Sequence, residues 1–387
     1  MADEAAEAVA VGGSVAPGFE GVRAAFEANF AHRGEAGAAC TVYVAGRAVV
    51  DLWGGTAAAG TPYTGRTVQL VASATKGALA ICALRLVERG LLDLDAPVAA
   101  YWPEFAAVGK ADLPVRFLLA HRAGLPYVDG HLTVDQLLSW DPLVEALAAQ
   151  EPVWAPGTAH GYHAITYGHL VGEVLARVTG HSPGAELADS VAGPLGLDLA
   201  IGLPAADCVR VAPLIPAPPP APGQEPDELT RRLADPASAA HRAFFLSSGL
   251  FALLNHERLW RAQVPAANGI GSAHALARMY AATIGEVDGI RLLEAATVAE
   301  AARPHAAGTD AVTGYQTRYG LGFQLPFPFR PLSGGGSFGH YGLGGAVGFA
   351  DPDRGFAFGY APTRMAPALP ADARSGALVD AVLACLR

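Results

Sequence analysis

The order of β-prone and helical segments is the feature that most constrains how this 387-residue chain can fold. The middle of the chain reads as helical pieces joined by Pro- and Gly-rich loops. Short β-prone runs flank it, at Thr41–Val44, Val49–Trp53, Ala346–Ala350 and Phe356–Tyr360. Strands so far apart in sequence share one buried sheet only if the two ends of the chain meet. We therefore predict an α/β (α+β) protein in which residues 1–92 and 286–387 form a sheet domain and residues 93–285 an inserted helical domain.

Local signals set the expected boundaries of several elements. Ala45-Gly46 is typical of a hairpin turn, and Asp351–Gly355 is a strong turn signal between two late strands. Apolar spacing predicts helices, and Gly90 and Gly180 are stop signals for two of them; the predicted helices cover 19–31, 73–89, 167–179 and 378–386. Residues 1–16 are expected to be a flexible leader. Residues 212–226 hold seven prolines and are expected to form a loop.

Composition excludes several classes of protein. Hydrophobic residues make up 51% of the chain, enough for a large core, and the formal charge of −10 argues against a nucleic-acid or anionic-membrane partner. Four scattered cysteines form neither a disulfide framework nor a zinc ribbon and are expected to be buried and reduced. The first residues lack the basic and apolar regions of a secretory signal, and no stretch suits a membrane span. We expect a cytoplasmic protein that acts on a small molecule.

Lysine is rare in this chain, which makes its two positions informative. Of 26 basic residues, only Lys76 and Lys110 are lysines. In Ser73-Ala-Thr-Lys76 the predicted helix start puts the serine and the lysine one turn apart on one face. A serine becomes nucleophilic when a neighbouring base takes its proton, and a buried lysine can be that base whereas arginine cannot. The alternative is a solvated helix start with a surface lysine. Lys110 is expected in an exposed loop.

Two further segments carry candidate site residues. Tyr162 lies in a loop ahead of the 167–179 helix, where a phenol near a lysine could shuttle a proton or simply pack. Gly342 lies in the glycine-rich run 338–345, and such a run lets the backbone approach a ligand closely. His340 in the same run could line a cleft. His160, His163 and His169 have no acid among them, so we expect no metal site there. Chemistry on a serine nucleophile also needs no cofactor.

The order and spacing of these three segments resemble the superfamily of class C β-lactamases and penicillin-binding proteins, and most of all the β-lactamase-like family VIII carboxylesterases. The resemblance covers nearly the whole chain, including Leu118–Pro126, Gly161–Glu173, Asn268–Ala277 and Gly339–Pro352. It implies an antiparallel sheet flanked by helices, an inserted mostly helical domain, and a cleft between the two.

The resemblance also implies roles for individual residues. Ser73 would be the acylated nucleophile, and Lys76 would polarise it and hold Tyr162. Tyr162 would be the general base in acylation and would protonate the leaving group. The backbone N–H groups of Ser73 and Leu343, the residue after Gly342, would form the oxyanion hole. His340 would stand where β-lactamases carry a lysine that lines the cleft.

Two departures from the β-lactamase pattern bear on the substrate. Ala164 stands where these enzymes have an asparagine that contacts the acylamino side chain. His340-Tyr-Gly342 replaces Lys-Thr-Gly and so loses a fixed cation for a substrate carboxylate. Both argue against efficient β-lactam hydrolysis. The absent secretory signal argues against cell-wall peptidase work.

The sequence therefore predicts a serine hydrolase, carboxylesterase-like, that forms an acyl-enzyme on Ser73 with small ester or amide substrates. One alternative is a transacylase of a biosynthetic pathway, in which an amine or alcohol resolves the same acyl-enzyme. Less favoured are a β-lactamase, a D-amino acid peptidase and a non-catalytic binding protein on this fold. The sequence leaves the oligomeric state and the natural substrate open.

Overall fold

A computed structural model describes residues 9–219, 223, 225–366 and 372–387. Its strands are β1 Val11–Val15, β2 Gly37–Val44, β3 Arg47–Ala58, β4 Thr61–Pro62, β5 Val68–Ala72, β6 Leu199–Ala200, β7 Val211–Ala212, β8 Gly269–Gly271, β9 Ala306–Thr309, β10 Gln316–Tyr319, β11 Phe338–Tyr341, β12 Val347–Asp351 and β13 Phe356–Pro362. Its helices are α1 Glu20–His32, α2 Thr75–Glu88, α3 Val115–Leu119, α4 Val134–Leu138, α5 Asp141–Ala149, α6 Thr166–Thr179, α7 Pro183–Leu187, α8 Gly193–Leu195, α9 Glu228–Ala234, α10 Ala239–Phe244, α11 Glu257–Trp260, α12 Ala273–Ile284, α13 Ala295–Ala301 and α14 Ala373–Cys385.

The main sheet joins the two ends of the chain, as the order of segments predicts. Its strands run β1-β3-β2-β13-β12-β11, with β4 beside β3, and every neighbouring pair is antiparallel. The contact between β2 and β13 extends from Val44↔Phe356 to Ala38↔Pro362, so the first and last parts of the chain share one ladder. The predicted α+β fold with an antiparallel sheet is confirmed.

Helices cover both faces of this sheet. On one face, apolar side chains of α1 and α14, including Phe26 and Leu378, pack with Phe349 and Phe358 in a separate core cluster. On the other face α12 lies directly on β13. A Cβ at Gly359 would approach the Ala273 carbonyl oxygen to 2.1 Å, so this close contact needs glycine. Within the described ranges, no helix is both long enough and apolar enough to span a bilayer.

The segment 93–285 is not confined to helices that stand apart from the sheet. α12 belongs to this segment and packs on the main sheet. The short strands β6, β7 and β8 also come from it, and they form a small second sheet with β5 in the order β6-β8-β5-β7. This second sheet fixes β5, and β5 leads directly into α2.

Most local predictions are confirmed within a few residues. The hairpin between β2 and β3 turns at Ala45 and Gly46, whose φ angles of +46° and +76° are those of a tight hairpin turn. The helix predicted over 167–179 is α6, and Gly180 ends it with a φ of +75°. The last helix begins earlier than predicted, at Ala373.

The expectation of a flexible leader over residues 1–16 is wrong for its second half. Residues 11–15 form β1, which pairs with β3 from Val11↔Gly54 to Val15↔Val50. Arg23 also donates to the Gly13 carbonyl at 3.0 Å. This edge strand has few large apolar residues, so its sequence does not show the alternating pattern that predicts a β-strand. Residues 1–8 lie outside the described residues.

The proline-rich segment 212–226 lies partly outside the described residues, at 220–222 and 224. The backbone of its first part is hydrogen-bonded to the segment that follows β13. The Ile215 N–H donates to the Thr363 carbonyl at 2.8 Å, and the Met365 N–H donates to the Ile215 carbonyl at 2.8 Å. The start of the predicted loop is therefore held beside the chain that follows β13.

The four cysteines are unpaired, as expected, but only two of them are buried. Cys40 and Cys82 lie in the interior, whereas Cys208 and Cys385 are partly exposed. The expectation that all four are buried is therefore wrong for half of them.

Lys110 contradicts the expectation of an exposed loop residue, because its exposed fraction is 0%. Its Nζ donates to the carbonyl oxygens of Ala148 at 3.0 Å and Gln150 at 2.6 Å, and it lies 5.2 Å from the centre of the Phe105 ring. The last carbonyls of a helix lack intrahelical donors, and a cation is favourable there. Lys110 therefore closes the C-terminal end of α5.

Candidate active site

Ser73 lies at a sharp corner between β5 and α2. Ala72 has a φ of +46°, a left-handed conformation that residues other than glycine rarely adopt. The Thr75 hydroxyl donates to the Ala72 carbonyl at 2.5 Å and accepts from the Gly269 N–H at 2.9 Å. These bonds tie the corner to β8, and they leave the Ser73 side chain facing a cavity.

Lys76 is completely buried on the first turn of α2. Its Nζ lies 3.1 Å from Ser73 Oγ, 2.8 Å from the Ala164 carbonyl oxygen and 2.9 Å from the Ala266 carbonyl oxygen. Burial lowers the pKa of the Lys76 amine well below its ordinary value. A neutral amine has two N–H bonds and one lone pair. The two carbonyls match the N–H bonds, which leaves the lone pair for the Ser73 hydroxyl.

Tyr162 packs its ring over this amine, 4.8 Å from Lys76 Nζ to the ring centre. Burial raises the pKa of Tyr162 more than any other influence; a side-chain hydrogen bond with Ser73 lowers it, and the charge of Asp310 raises it. The phenol is thus kept protonated beside a serine and an amine. These pKa directions suit Tyr162 as a proton donor and Lys76 as the base, whereas the sequence analysis gave the base role in acylation to Tyr162.

Gly342 and Leu343 bring a second backbone segment up to the Ser73 corner. A Cβ at Gly342 would approach the Val71 carbonyl oxygen to 2.1 Å, so only glycine allows this approach. In the part of the chain that the structure describes, we find no hydrogen-bond acceptor for the backbone N–H of Ser73 or of Leu343. Both residues line the cavity. The arrangement offers two backbone donors to a developing oxyanion.

His340 lies behind Tyr162 and is not among the residues that line the cavity. Its exposed fraction is 1%, and its ring centre is 6.1 Å from that of Tyr162. Nδ1 donates to the Tyr341 carbonyl at 2.7 Å, and burial lowers the pKa of His340 to about 3. The third motif therefore supplies a buried, neutral ring where the sequence analysis expected a residue lining the cleft.

Aromatic rings form a large part of the cavity in front of Ser73. The cavity encloses about 820 Å³ including its open mouth. Its larger uncharged lining side chains are Tyr162, Leu229, Phe244, Tyr315, Tyr319, Gln324, Phe327, Tyr341 and Leu343. Its charged lining side chains among the described residues are Arg330, stacked 4.7 Å from the centre of the Tyr341 ring, and Asp372. This composition suits an apolar ligand with a polar centre at the serine.

The groups that position Lys76 and Tyr162 leave almost no trace in the sequence. The Ala266 carbonyl belongs to a loop held by Asn268, whose side chain accepts from the Val264 N–H at 3.0 Å and donates to the Leu259 carbonyl at 2.8 Å. Asn268 lies in one of the stretches that carry the family resemblance, and that was the one available signal. Asp310 gave no signal, because no pattern links it to Tyr162.

Three buried histidines predict that the protein is destabilised by mild acid. Burial lowers the pKa of His163 to about 4 and those of His169 and His340 to about 3. An unfolded chain binds these protons near pH 6.5. The stabilisation is therefore complete above about pH 6.5 and is lost as the pH falls toward the lowered values. Each histidine contributes a slope that approaches about 1.4 kcal/mol per pH unit below about pH 6. Urea unfolding between pH 5 and 7.5 measures this slope.

Replacing one of these histidines tests the prediction directly. His169 stacks on Trp140 with ring centres 4.5 Å apart and is not among the residues that line the cavity, so His169→Phe keeps an aromatic ring while removing one proton-binding group. We expect its slope to be smaller by about 1.4 kcal/mol per pH unit. His32→Gln, on the exposed surface of α1, is the matched control and should leave the slope unchanged. Equal slopes for wild type and His169→Phe would contradict the assignment.

A Ser-x-x-Lys helix facing a tyrosine and a glycine-rich strand end, between an antiparallel sheet and a largely helical region, defines a class of β-lactamase-like hydrolases. Residues 22–383 match the sequence model of the Beta-lactamase family, and the chain belongs to that family. This confirms the resemblance that the three motifs indicate.

Known relatives agree with this assignment. The chain is 38% identical over 360 residues to the "Esterase/beta-lactamase LipL" of Mycobacterium tuberculosis (strain ATCC 25618 / H37Rv), covering 91% of this chain and 83% of that protein. It resembles the crystal structure of a family VIII carboxylesterase with a TM-score of 0.87 and 37% identity, covering 97% of this chain and 100% of the other. A penicillin-binding protein homologue from Caulobacter crescentus matches with a TM-score of 0.86, 37% identity and the same coverage.

Proposed function

We propose that this protein is a serine carboxylesterase that hydrolyses small, neutral esters through an acyl-enzyme on Ser73. The observation that carries the proposal is the setting of Lys76 Nζ, held by two backbone carbonyls and placed 3.1 Å from Ser73 Oγ. A buried amine with this geometry can take the serine proton at neutral pH, and an exposed lysine cannot.

In the proposed acylation, Ser73 Oγ attacks the ester carbonyl carbon and its proton passes to Lys76 Nζ. The carbonyl oxygen becomes an oxyanion, which the Ser73 and Leu343 N–H groups stabilise. The bond to the alkoxide then breaks, the alkoxide takes the Tyr162 proton, and the Tyr162 phenolate regains a proton from Lys76. Water next attacks the acyl carbon and gives up a proton to Lys76 Nζ. The bond between the acyl carbon and Ser73 Oγ then breaks, Lys76 returns the proton to Oγ, and the acid leaves.

The walls of the cavity support a neutral ester as substrate. The two charged lining side chains, Arg330 and Asp372, have opposite signs, and six of the remaining lining residues are aromatic. His340 is buried and its pKa is about 3, so the third motif presents no cation to a substrate carboxylate near neutral pH. The relatives whose names include esterase support the same choice.

A fluorophosphonate probe and a short substrate panel test the proposal on the wild-type protein. We expect one probe per chain, mapped by peptide mass to Ser73, and loss of ester hydrolysis in proportion to labelling. The panel contains p-nitrophenyl esters of increasing acyl length, a chromogenic cephalosporin and a D-amino acid amide. Hydrolysis of the short esters with the free acid as main product is the expected result.

Three outcomes would contradict the proposal. Absence of both labelling and ester turnover would remove the catalytic role of Ser73. A higher kcat/KM for the cephalosporin or the amide than for the esters would replace the esterase assignment. With an amine present, an amide product exceeding the free acid would make the protein a transacylase.

A further inference from the structure

Asp310 is a fully buried carboxylate that no step of the proposed mechanism uses. It follows β9 directly and lies in the turn before β10. Its Oδ1 accepts from the N–H groups of Val312 at 2.9 Å and Thr313 at 2.8 Å, as in a local turn. The same oxygen accepts from the Tyr162 N–H at 3.2 Å, a partner 148 residues away. The third bond is not needed for the turn.

The segment that carries Tyr162 is held from two sides. The Gly161 N–H donates to the His121 carbonyl at 3.0 Å, and the Ala311 N–H donates to the His160 carbonyl at 2.9 Å. Asp310 supplies the bond to Tyr162 itself. A Cβ at Gly161 would approach Trp154 to 2.8 Å and Val312 to 2.9 Å, so the segment has little room to shift. The position of the Tyr162 ring over Lys76 thus depends on the 310–312 turn.

The other oxygen of Asp310 faces hydroxyl groups. Oδ2 lies 3.4 Å from the Tyr319 hydroxyl and 3.5 Å from the Thr317 hydroxyl, and the ring of Tyr319 stacks on that of Tyr162 with centres 6.2 Å apart. Both hydroxyls can also accept a hydrogen bond. An asparagine at 310 could therefore keep Oδ1 for the three N–H groups and turn its NH₂ toward the two hydroxyls.

From these contacts we infer that Asp310 is a positioning residue for the proposed esterase reaction: its carboxylate holds the backbone of Tyr162 and thereby places the phenol to protonate the leaving group. The inference rests on the proposed function. It predicts that damage at Asp310 acts through Tyr162 and through no other catalytic group.

Leaving-group dependence separates this role from a structural one. An alkoxide needs a proton to leave, whereas p-nitrophenolate is stable without one. Misplacing a catalytic group by about 1 Å can cost about 10²-fold. We therefore expect Asp310→Ala to lose about 10²-fold in kcat on an ethyl ester and about tenfold or less on the p-nitrophenyl ester of the same acid. Rates are counted per site titrated with the fluorophosphonate probe.

A double-mutant cycle then tests whether Tyr162 carries the effect. In a Tyr162→Phe background, Asp310→Ala should change kcat on the ethyl ester by less than about threefold. Asp310→Asn should recover most of the activity lost in Asp310→Ala. If Asp310→Ala does not fold, Asp310→Ser, whose hydroxyl still accepts one bond, takes its place in the cycle.

The outcomes that would overturn the inference are distinct from failure of the proposed function. Equal losses on the two esters, an unchanged loss in the Tyr162→Phe background, or Asp310→Asn as damaging as Asp310→Ala would each remove the positioning role. If wild type neither takes the probe nor hydrolyses either ester, the proposed function fails and the inference fails with it.

Discussion

Replacing Lys76 by arginine should reduce ester hydrolysis by about 10³-fold or more, close to the residual activity of Ser73→Ala, although the side chain stays basic. The role of Lys76 requires a side chain that can be neutral and accept a proton. Arginine does not lose its proton in a protein, so it cannot accept one from Ser73. The space around the amine also leaves little room for a larger guanidinium group. Nζ already lies between the Ala164 and Ala266 carbonyl oxygens, and the side chain is completely buried.

The measurement is kcat with a p-nitrophenyl ester, together with the rate of fluorophosphonate labelling, which reports the reactivity of Ser73 alone. The chain offers a matched control, because its other lysine is buried in a similar way. Lys110→Arg makes the same chemical change at the end of α5 and should leave turnover per titrated site unchanged. Turnover by Lys76→Arg above about one tenth of wild type would remove Lys76 as the base.

Tyr162→Phe should lower kcat on an ethyl ester by about 10²–10⁴-fold, the range for loss of a general acid or base. Burial raises the pKa of the phenol, so the group is protonated and suited to donate to the departing alkoxide. Phenylalanine keeps the ring over Lys76 and its stacking on Tyr319 while it removes only the hydroxyl. The p-nitrophenyl ester should lose much less, because its leaving group needs no proton.

Tyr167→Phe is the matched control for this experiment. The Tyr167 ring also lies near Lys76 Nζ, at 5.9 Å, and among the described residues its buried hydroxyl has no hydrogen-bond partner. Removing that hydroxyl should leave both ester rates within about threefold of wild type. A similar loss by Tyr162→Phe on the two esters would show that Tyr162 does not protonate the leaving group.

The parts of the site that could be predicted from the sequence are those formed by residues close together in the chain. Ser73 and Lys76 are three residues apart on one helix, so helical spacing alone brings them together. Gly342 and Leu343 follow a strand, where glycine and a free backbone N–H have a direct structural meaning. The helix end at Gly180 and the hairpin turn at Ala45-Gly46 could be predicted for the same reason, since each depends on neighbouring residues only.

The remaining features depend on contacts between distant parts of the chain. The two carbonyls that orient Lys76 come from residues 164 and 266, and a carbonyl has no side-chain signature. Lys110 lies in a loop, but its partners are 38 and 40 residues further along the chain. His340 reads as a residue of the cleft, yet the strand turns its ring behind Tyr162. In each case the burial of the side chain and the identity of its contact partners are set by distant segments that meet only in the folded protein.

The burial of both lysines has a practical consequence for handling the protein. Lys76 and Lys110 have exposed fractions of 0%, and the chain has no other lysine. Among the described residues, its exposed cationic side chains are arginines and any charged histidine. Amine-directed reagents such as succinimidyl esters and biotinylation or crosslinking agents therefore find no accessible lysine while the fold is intact. Lysine acylation by such a reagent would instead report opening of the helix ends that bury these two amines, one beside the nucleophile and one at the end of α5.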